Sequence, residues 1–178
     1  MSIGTHLTER LRAMAAPGGN THGLLHDDHG RRLVVADGGV QATLAFFDHD
    51  RYSVTLRTLE VGSGQPVGDD VRAYFSATAA EIIRRLSFLE EPLAIWELDG
   101  GARLAQLRSS PPERVGEEVS YWEVALTAGE QPAAQISRYR WVPGCVEREV
   151  VAYPATFGLV ARIADGLAEA LQQQPSNV

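Results

Sequence analysis

The spacing of apolar residues changes at two places from every second residue to every third or fourth, and this change limits the folds available to the chain. Residues 75–86 and 153–163 share the order aromatic, small, Ala, Thr, followed by apolar residues at helical spacing. Thr78 with Glu81 has the form of a capping box, and Thr156 stands in the matching place of the second segment. The sequence therefore predicts two main helices that begin at these threonines.

A shorter helix is predicted at the N-terminus, over residues 3–15, ahead of a Pro-Gly-Gly stop. We expect the main helices to span residues 78–89 and 156–171, and the residues from Gln172 onward to form a frayed tail. The apolar residues of the N-terminal helix fall at helical spacing: Ile3, Leu7, Leu11 and Met14.

Most of the remaining chain alternates apolar and polar residues, the pattern of half-buried strands joined by short hairpins. Gly-containing loops at residues 27–30 and 99–101 each separate two such strands. A third loop at residues 48–50 is expected to place Phe46 opposite Tyr52. Short hairpin connections indicate an antiparallel sheet.

The last hairpin carries charges of both signs. A turn at residues 143–144 would place Arg140 opposite Glu147 and Arg138 opposite Glu149, which gives two favourable cross-strand pairs. The same strands also carry Arg148, Tyr139 and Trp141, an arginine and aromatic combination that can stack single-stranded nucleic acid. Because glutamates neutralise two of the arginines, ion pairing is the preferred interpretation.

The elements together predict an α+β fold in which an antiparallel sheet of hairpins has the N-terminal helix and the two main helices on one face. A single domain over residues 1–178 accounts for the length. A Ser-Ser-Pro-Pro segment makes residues 109–116 a candidate boundary between two pseudo-repeated halves, of which the second has an extra hairpin.

Composition excludes several kinds of chemistry and partner. All 16 basic residues are Arg, so no Schiff-base, pyridoxal-phosphate or P-loop lysine is present. The net charge of −7 makes nucleic acid and anionic membranes poor partners. The single cysteine can form neither an internal disulfide nor a cysteine-based metal site. No apolar run is long enough to span a membrane, and we expect a cytoplasmic protein.

Histidines and carboxylates supply the candidate chemistry. The candidate metal ligands are His22, His26, His29 and His49, which lie near several aspartates. Imidazole and carboxylate groups suit zinc or another divalent metal, although the spacing matches no metalloenzyme signature and solvated turns are the preferred interpretation. Six glutamates could pair for acid–base work, but a solvated face explains them equally well: Glu90, Glu91, Glu97, Glu117, Glu118 and Glu123.

The order of elements within residues 5–107 resembles that of a known family. Its parts are the opening helix with the run Leu-Thr-Glu-Arg-Leu at residues 7–11, the hairpins ending at Val61, the helix at Thr78 and the hairpin of residues 93–107. In this order of elements the chain resembles the type III secretion chaperone-like superfamily. The resemblance implies a small acidic α+β protein that pairs as a homodimer or holds a protein client. The strands after Pro112 go beyond the compact pattern and suggest a duplicated version.

Three functional hypotheses follow. The first is a non-catalytic binding or chaperone-like module that holds a protein partner through its sheet face or its N-terminal helix, with an exposed apolar patch on the sheet. The second is a metal-dependent hydrolase built on the four histidines. The third is a small-ligand carrier, which requires an enclosed apolar pocket. The sequence favours a protein that is not an enzyme and holds no cofactor.

Overall fold

The computed structural model describes residues 1–173 and contains three helices and one eleven-stranded antiparallel sheet. This arrangement confirms the predicted α+β class. All of the expected tail beyond residue 173 lies outside the described residues. The elements in chain order are α1 (Ile3–Ala15), β1 (Leu25–Asp27), β2 (Gly30–Asp37), β3 (Val40–His49), β4 (Ser53–Ser63), α2 (Val71–Arg85), β5 (Leu93–Asp99), β6 (Leu104–Ser109), β7 (Glu113–Val115), β8 (Glu118–Ala128), β9 (Pro132–Trp141), β10 (Glu149–Val150), β11 (Tyr153–Thr156) and α3 (Phe157–Gln172).

Two meanders meet in the middle of the sheet. The strand order β1-β2-β3-β4-β9-β8-β6-β5 places the last long strand of each meander side by side. Leu59 pairs with Ile136 and Val61 with Ala134 across this junction. Each meander is followed in the chain by a helix, α2 after the first and α3 after the second. The proposed boundary at residues 109–116 contains β7, a short strand that pairs with β8.

One face of the sheet carries the core. Alternate residues of the central strands are buried under the helices, including Leu44, Leu59, Val124 and Ile136, each fully buried. Helix α1 packs on β2, β3 and α3, α2 packs on β5 and α3, and α3 packs on β4 and β9. The helices therefore lie on this face, as predicted. No helix within residues 1–173 combines the length and apolar character needed to cross a membrane.

Helix α1 is fixed against α3 at its first turn. The Asp165 carboxylate accepts hydrogen bonds from the Gly4 amide at 2.7 Å and the Ser2 hydroxyl at 3.0 Å. The N-cap hydroxyl of Ser2 accepts from the Thr5 amide. A Cβ atom at Gly4 would lie 2.4 Å from the Ala161 carbonyl oxygen, so the two helix backbones approach as closely as glycine allows.

The predicted start of α2 is wrong. The helix begins at Val71, with the Asp70 carboxylate accepting from the Ala73 amide at 2.9 Å, and it ends at Arg85. Thr78 lies in the third turn and is 1% exposed, and Glu81 pairs with arginines of its own helix. Since Thr78 faces the core, burial of this helix face overrides the capping pattern. Thr156, in contrast, caps α3 as predicted, because its hydroxyl accepts from the Leu159 amide at 3.1 Å.

The predicted register of the β3–β4 hairpin is also wrong. Phe46 pairs with Leu56 rather than Tyr52, and β3 continues through two irregularities to His49. The turn instead follows Asp50, whose carboxylate accepts from the amides of Tyr52 and Ser53, each at 2.7 Å. The hydrogen bond from the Tyr52 amide is the main cause that holds the pKa of Asp50 below its usual value, and the bond from the Ser53 amide acts in the same direction. The bulges let both Leu56 and Leu59 reach the core.

Gly4→Ala is expected to lower the free energy of unfolding by about 1–3 kcal/mol, because the added methyl group forces α1 away from α3. Urea unfolding followed by circular dichroism measures the change. Gly158→Ala is the matched control, because, outside its chain neighbours and the backbone of its own helix, the nearest atom to the added Cβ would be the Thr156 hydroxyl at 4.0 Å. Equal stability of the two variants would contradict the close packing of α1 on α3.

Candidate functional site

The second face of the sheet is not covered by any helix of the described chain. Its side chains alternate with the buried ones, so Thr43, Glu60 and Gln135 occupy this face while their strand neighbours lie in the core. We call it the open face. Its two halves differ: the first meander presents polar side chains, which include Arg32 and Arg57, and the second presents arginines stacked on aromatic side chains.

Arginine and aromatic side chains alternate across the open face from β5 to β9, with Arg148 of the segment between β9 and β10 lying near the rings of Tyr121 and Tyr139. We call the set Trp96, Arg108, Tyr121, Arg148 and Tyr139 the arginine ladder. The guanidinium carbon of Arg108 lies 4.6 Å from the centre of the Trp96 ring and 5.2 Å from that of Tyr121. The guanidinium carbon of Arg148 lies 3.7 Å from the centre of the Tyr139 ring. Such contacts are worth about 0.5–2 kcal/mol each.

Glu123 joins the two arginines of the ladder. Its Oε2 atom accepts from Arg108 Nε at 2.7 Å and from Arg148 Nη1 at 2.5 Å, and its Oε1 atom accepts from Arg148 Nη2 at 2.9 Å. The residue is 4% exposed although it lies on the open face. The two arginines therefore cover a carboxylate that would otherwise face solvent, and the group carries one net positive charge.

The two arginines reach Glu123 from different places. Arg108 is its cross-strand neighbour, because β6 and β8 pair these residues directly. Arg148 comes from the segment 142–148 between β9 and β10, and its guanidinium also donates to the Tyr121 hydroxyl at 2.9 Å. The hydrogen bond to Glu123 is the main cause that raises the pKa of Arg148 above its usual value. Arg148 therefore stays charged at any physiological pH.

Two shallow grooves lie on the open face where the first meander adjoins β9. One, of about 290 Å³, is lined by side chains that include Arg32, Arg57 and Gln135. The other, of about 670 Å³, extends toward the β2–β3 turn and shares Thr43 and Glu60 with the first. Both grooves are open to solvent and have polar walls, so neither provides the enclosed apolar pocket that a small-ligand carrier requires.

The structure does not bring the four candidate metal ligands together into one group. Within residues 1–173, no group of three or more His, Cys, Asp and Glu side chains is placed to hold an ion. His22, His26 and His29 are exposed on the α1–β1 loop, β1 and the β1–β2 turn. His49 Nδ1 lies 2.8 Å from Arg31 Nη1, so this ring nitrogen already has a hydrogen-bond partner. The geometry gives no support to the metal-dependent hydrolase.

The arginines of β9 are paired with glutamates, but the predicted partners are wrong. Glu149 lies opposite Arg140, and the two side chains approach to 3.1 Å. Arg138 is 4% exposed on the core face and pairs with Glu91 at 3.0 Å and Glu113 at 2.8 Å. Because residues 142–148 form a loop rather than a strand, the expected pairing of Arg140 with Glu147 does not form.

Four residues of this site were missed from the sequence: Trp96, Arg108, Tyr121 and, as an ion-pair partner, Glu123. The sequence places Glu123 among solvated glutamates, because its neighbours Trp122 and Val124 are apolar and alternation puts it on the other face of the strand. Aligning Leu107 with Val124 across β6 and β8 would have placed Arg108 opposite Glu123. Arg148 offered no comparable signal, because its loop has no regular periodicity.

Comparison with protein-family models, with curated proteins and with solved structures finds no match for this chain.

Glu123→Gln is expected to lower the free energy of unfolding by on the order of 3 kcal/mol, because it keeps the shape of the side chain but leaves two arginines beside a neutral buried group. Chemical unfolding at neutral pH measures the loss. Glu149→Gln removes a more exposed partner, whose side chain is 58% exposed, and is expected to change stability by less than about 1 kcal/mol. A loss at position 123 no larger than at position 149 would show that the carboxylate is not structurally important.

Proposed function

We propose that the chain is a non-catalytic, cytoplasmic binding module of chaperone-like character that holds a protein partner on the open face of its sheet. The observation that carries the proposal is the arginine ladder, which ends in a Trp96 side chain that is 65% exposed at the edge strand β5. Tryptophan, tyrosine and arginine are the residues that most often dominate the energy of protein interfaces.

The sheet face, rather than the N-terminal helix, is the proposed contact surface. The apolar side chains of α1 are used within the chain, since Leu7 and Leu11 are fully buried. Trp96 and, at 39% exposure, Trp141 are accessible on β5 and at the end of β9. A partner that covered them would remove apolar surface from water, which favours association.

A client protein is the proposed partner, and a second copy of the chain is the alternative expected from the resemblance to secretion chaperones. Both would cover the same aromatic side chains. Sedimentation velocity over a range of concentrations distinguishes them, because self-association through the ladder depends on concentration and on Trp96. The formal net charge of −7 supports a partner that carries basic groups.

Trp96→Ala is expected to weaken partner binding at least about tenfold, which corresponds to 1.4 kcal/mol, because it removes an exposed aromatic anchor from the proposed contact. The immobilised protein is used to isolate a partner from the source organism. That partner is then purified, and its affinity for wild type and variant is measured by isothermal titration calorimetry.

Tyr52→Ala is the matched control. Tyr52 is also an exposed aromatic, at 71%, but it lies in the β3–β4 turn beside α3 rather than in the arginine ladder. Its replacement is expected to leave the affinity unchanged. If both variants bind the purified partner as wild type does, the open face is not the binding surface.

A further inference from the structure

The side chain of Arg148 occupies a site that is built by the sheet rather than by its own loop. Tyr139 of β9 supplies an aromatic wall at 3.7 Å, and Glu123 of β8 accepts from both terminal nitrogens of the guanidinium group. Tyr121 accepts a further hydrogen bond from Arg148. A carboxylate that accepts a forked pair of hydrogen bonds beside an aromatic face is the arrangement by which proteins recognise arginine.

Glu123 does not depend on Arg148 for its charge balance. Arg108 donates to the same carboxylate at 2.7 Å from the neighbouring strand. If Arg148 leaves, the buried carboxylate keeps a counterion, and the large penalty of an unpaired buried charge is avoided. The site can therefore exchange one guanidinium group for another.

The loop that carries Arg148 is lightly attached. None of residues 142–149 is buried, and Val146 at its tip is 99% exposed. Sheet pairing resumes only at Glu149 and Val150, which form the two-residue strand β10. Few buried contacts oppose movement of this segment, a property of regions that open at low cost in free energy.

We propose that Arg148 stands in for an arginine side chain of the protein partner, and that binding of the partner displaces residues 142–148 from Glu123. The inference rests on the proposed function and specifies the partner as an arginine-bearing segment. Charge balance supports it, because Arg108 and Glu123 alone are neutral, so an incoming arginine restores the present charge of the group, and the chain as a whole is acidic. The loop would then act as an internal competitor that lowers the affinity for weak partners.

The test uses the full chain and the tripeptide acetyl-Gly-Arg-Gly-amide. Arg148→Ala vacates the site, so this variant is expected to bind the tripeptide at least about tenfold more tightly than wild type, in which Arg148 competes. Two-dimensional NMR titration measures the affinity and locates the shifted amides on β8 and β9. Acetyl-Gly-Lys-Gly-amide is expected to bind more weakly, because an ammonium group cannot form the forked contact.

Two further variants serve as controls. Arg140→Ala removes the same charge from the same region, but Arg140 pairs with Glu149 rather than with Glu123, and it should bind the tripeptide as wild type does. Tyr139→Ala in the Arg148→Ala background removes the aromatic wall and should abolish the gain in affinity. It provides a test that does not require Glu123 to be replaced.

Equal affinity of wild type and Arg148→Ala, or no binding by a folded Arg148→Ala variant, would overturn the inference. Preferential binding of acetyl-Gly-Glu-Gly-amide to wild type would do the same, because it would assign the ladder to acidic partners. Either result can occur while binding of a purified partner is still weakened by Trp96→Ala, and in that case the proposed function stands. If Trp96→Ala leaves the affinity for the partner unchanged while Arg148→Ala still binds the arginine tripeptide more tightly than wild type, only the proposed function is contradicted.

Discussion

The pairing of β4 with β9 is the interaction on which the rest of the structure depends. Each meander alone would end in a long strand with a free edge, and an exposed edge of this kind invites pairing with other chains. Joined through Leu59 and Ile136, the two strands form a continuous apolar surface that α3 covers from above. Helix α1 then packs on the first meander and on α3 together. Its position is therefore set by the junction as much as by its own sequence.

Placing all three helices on one face leaves the other face to be stabilised by its own side chains. In the first meander, small polar residues such as Thr43 and Thr58 achieve this without burying charge. In the second meander, Glu123 is buried on the open face, and its desolvation is offset by two guanidinium groups that in turn rest on aromatic rings. The buried carboxylate therefore determines where the arginines lie, and the arginines determine which aromatic surfaces remain exposed.

Local patterns predicted the elements well and their partners poorly. The alternation of apolar and polar residues predicted most strands. The capping hydroxyl of Thr156 correctly predicted the start of α3. The same reasoning failed for α2, because Thr78 and Asp70 both match a cap and only tertiary burial decides between them. The predicted hairpin register failed at Phe46 because two bulges interrupt the strict alternation, so that Leu56 and Leu59, three residues apart, both face the core. The contact between Arg148 and Glu123 joins two positions that are far apart in sequence, and no local signal encodes it.

The segment between β9 and α3 is where the two meanders differ most, and it is held to the sheet from both sides. On the core face, Tyr153 of β11 lies with its ring centre 5.7 Å from the Arg138 guanidinium carbon and 4.7 Å from the Trp122 ring. On the open face, Arg148 lies on Tyr139. Strand β11 is also paired with β4, where Tyr153 lies opposite Leu56, so β11 has an attachment that does not involve the preceding loop. The segment is therefore attached at two separate places. In the proposed exchange, Arg148 leaves the open face while the contacts of Tyr153 on the core face keep α3 in place. The arginine with a structural role, Arg138, thus lies on the core face of the sheet, and the arginine that we propose to be exchangeable, Arg148, lies on the open face.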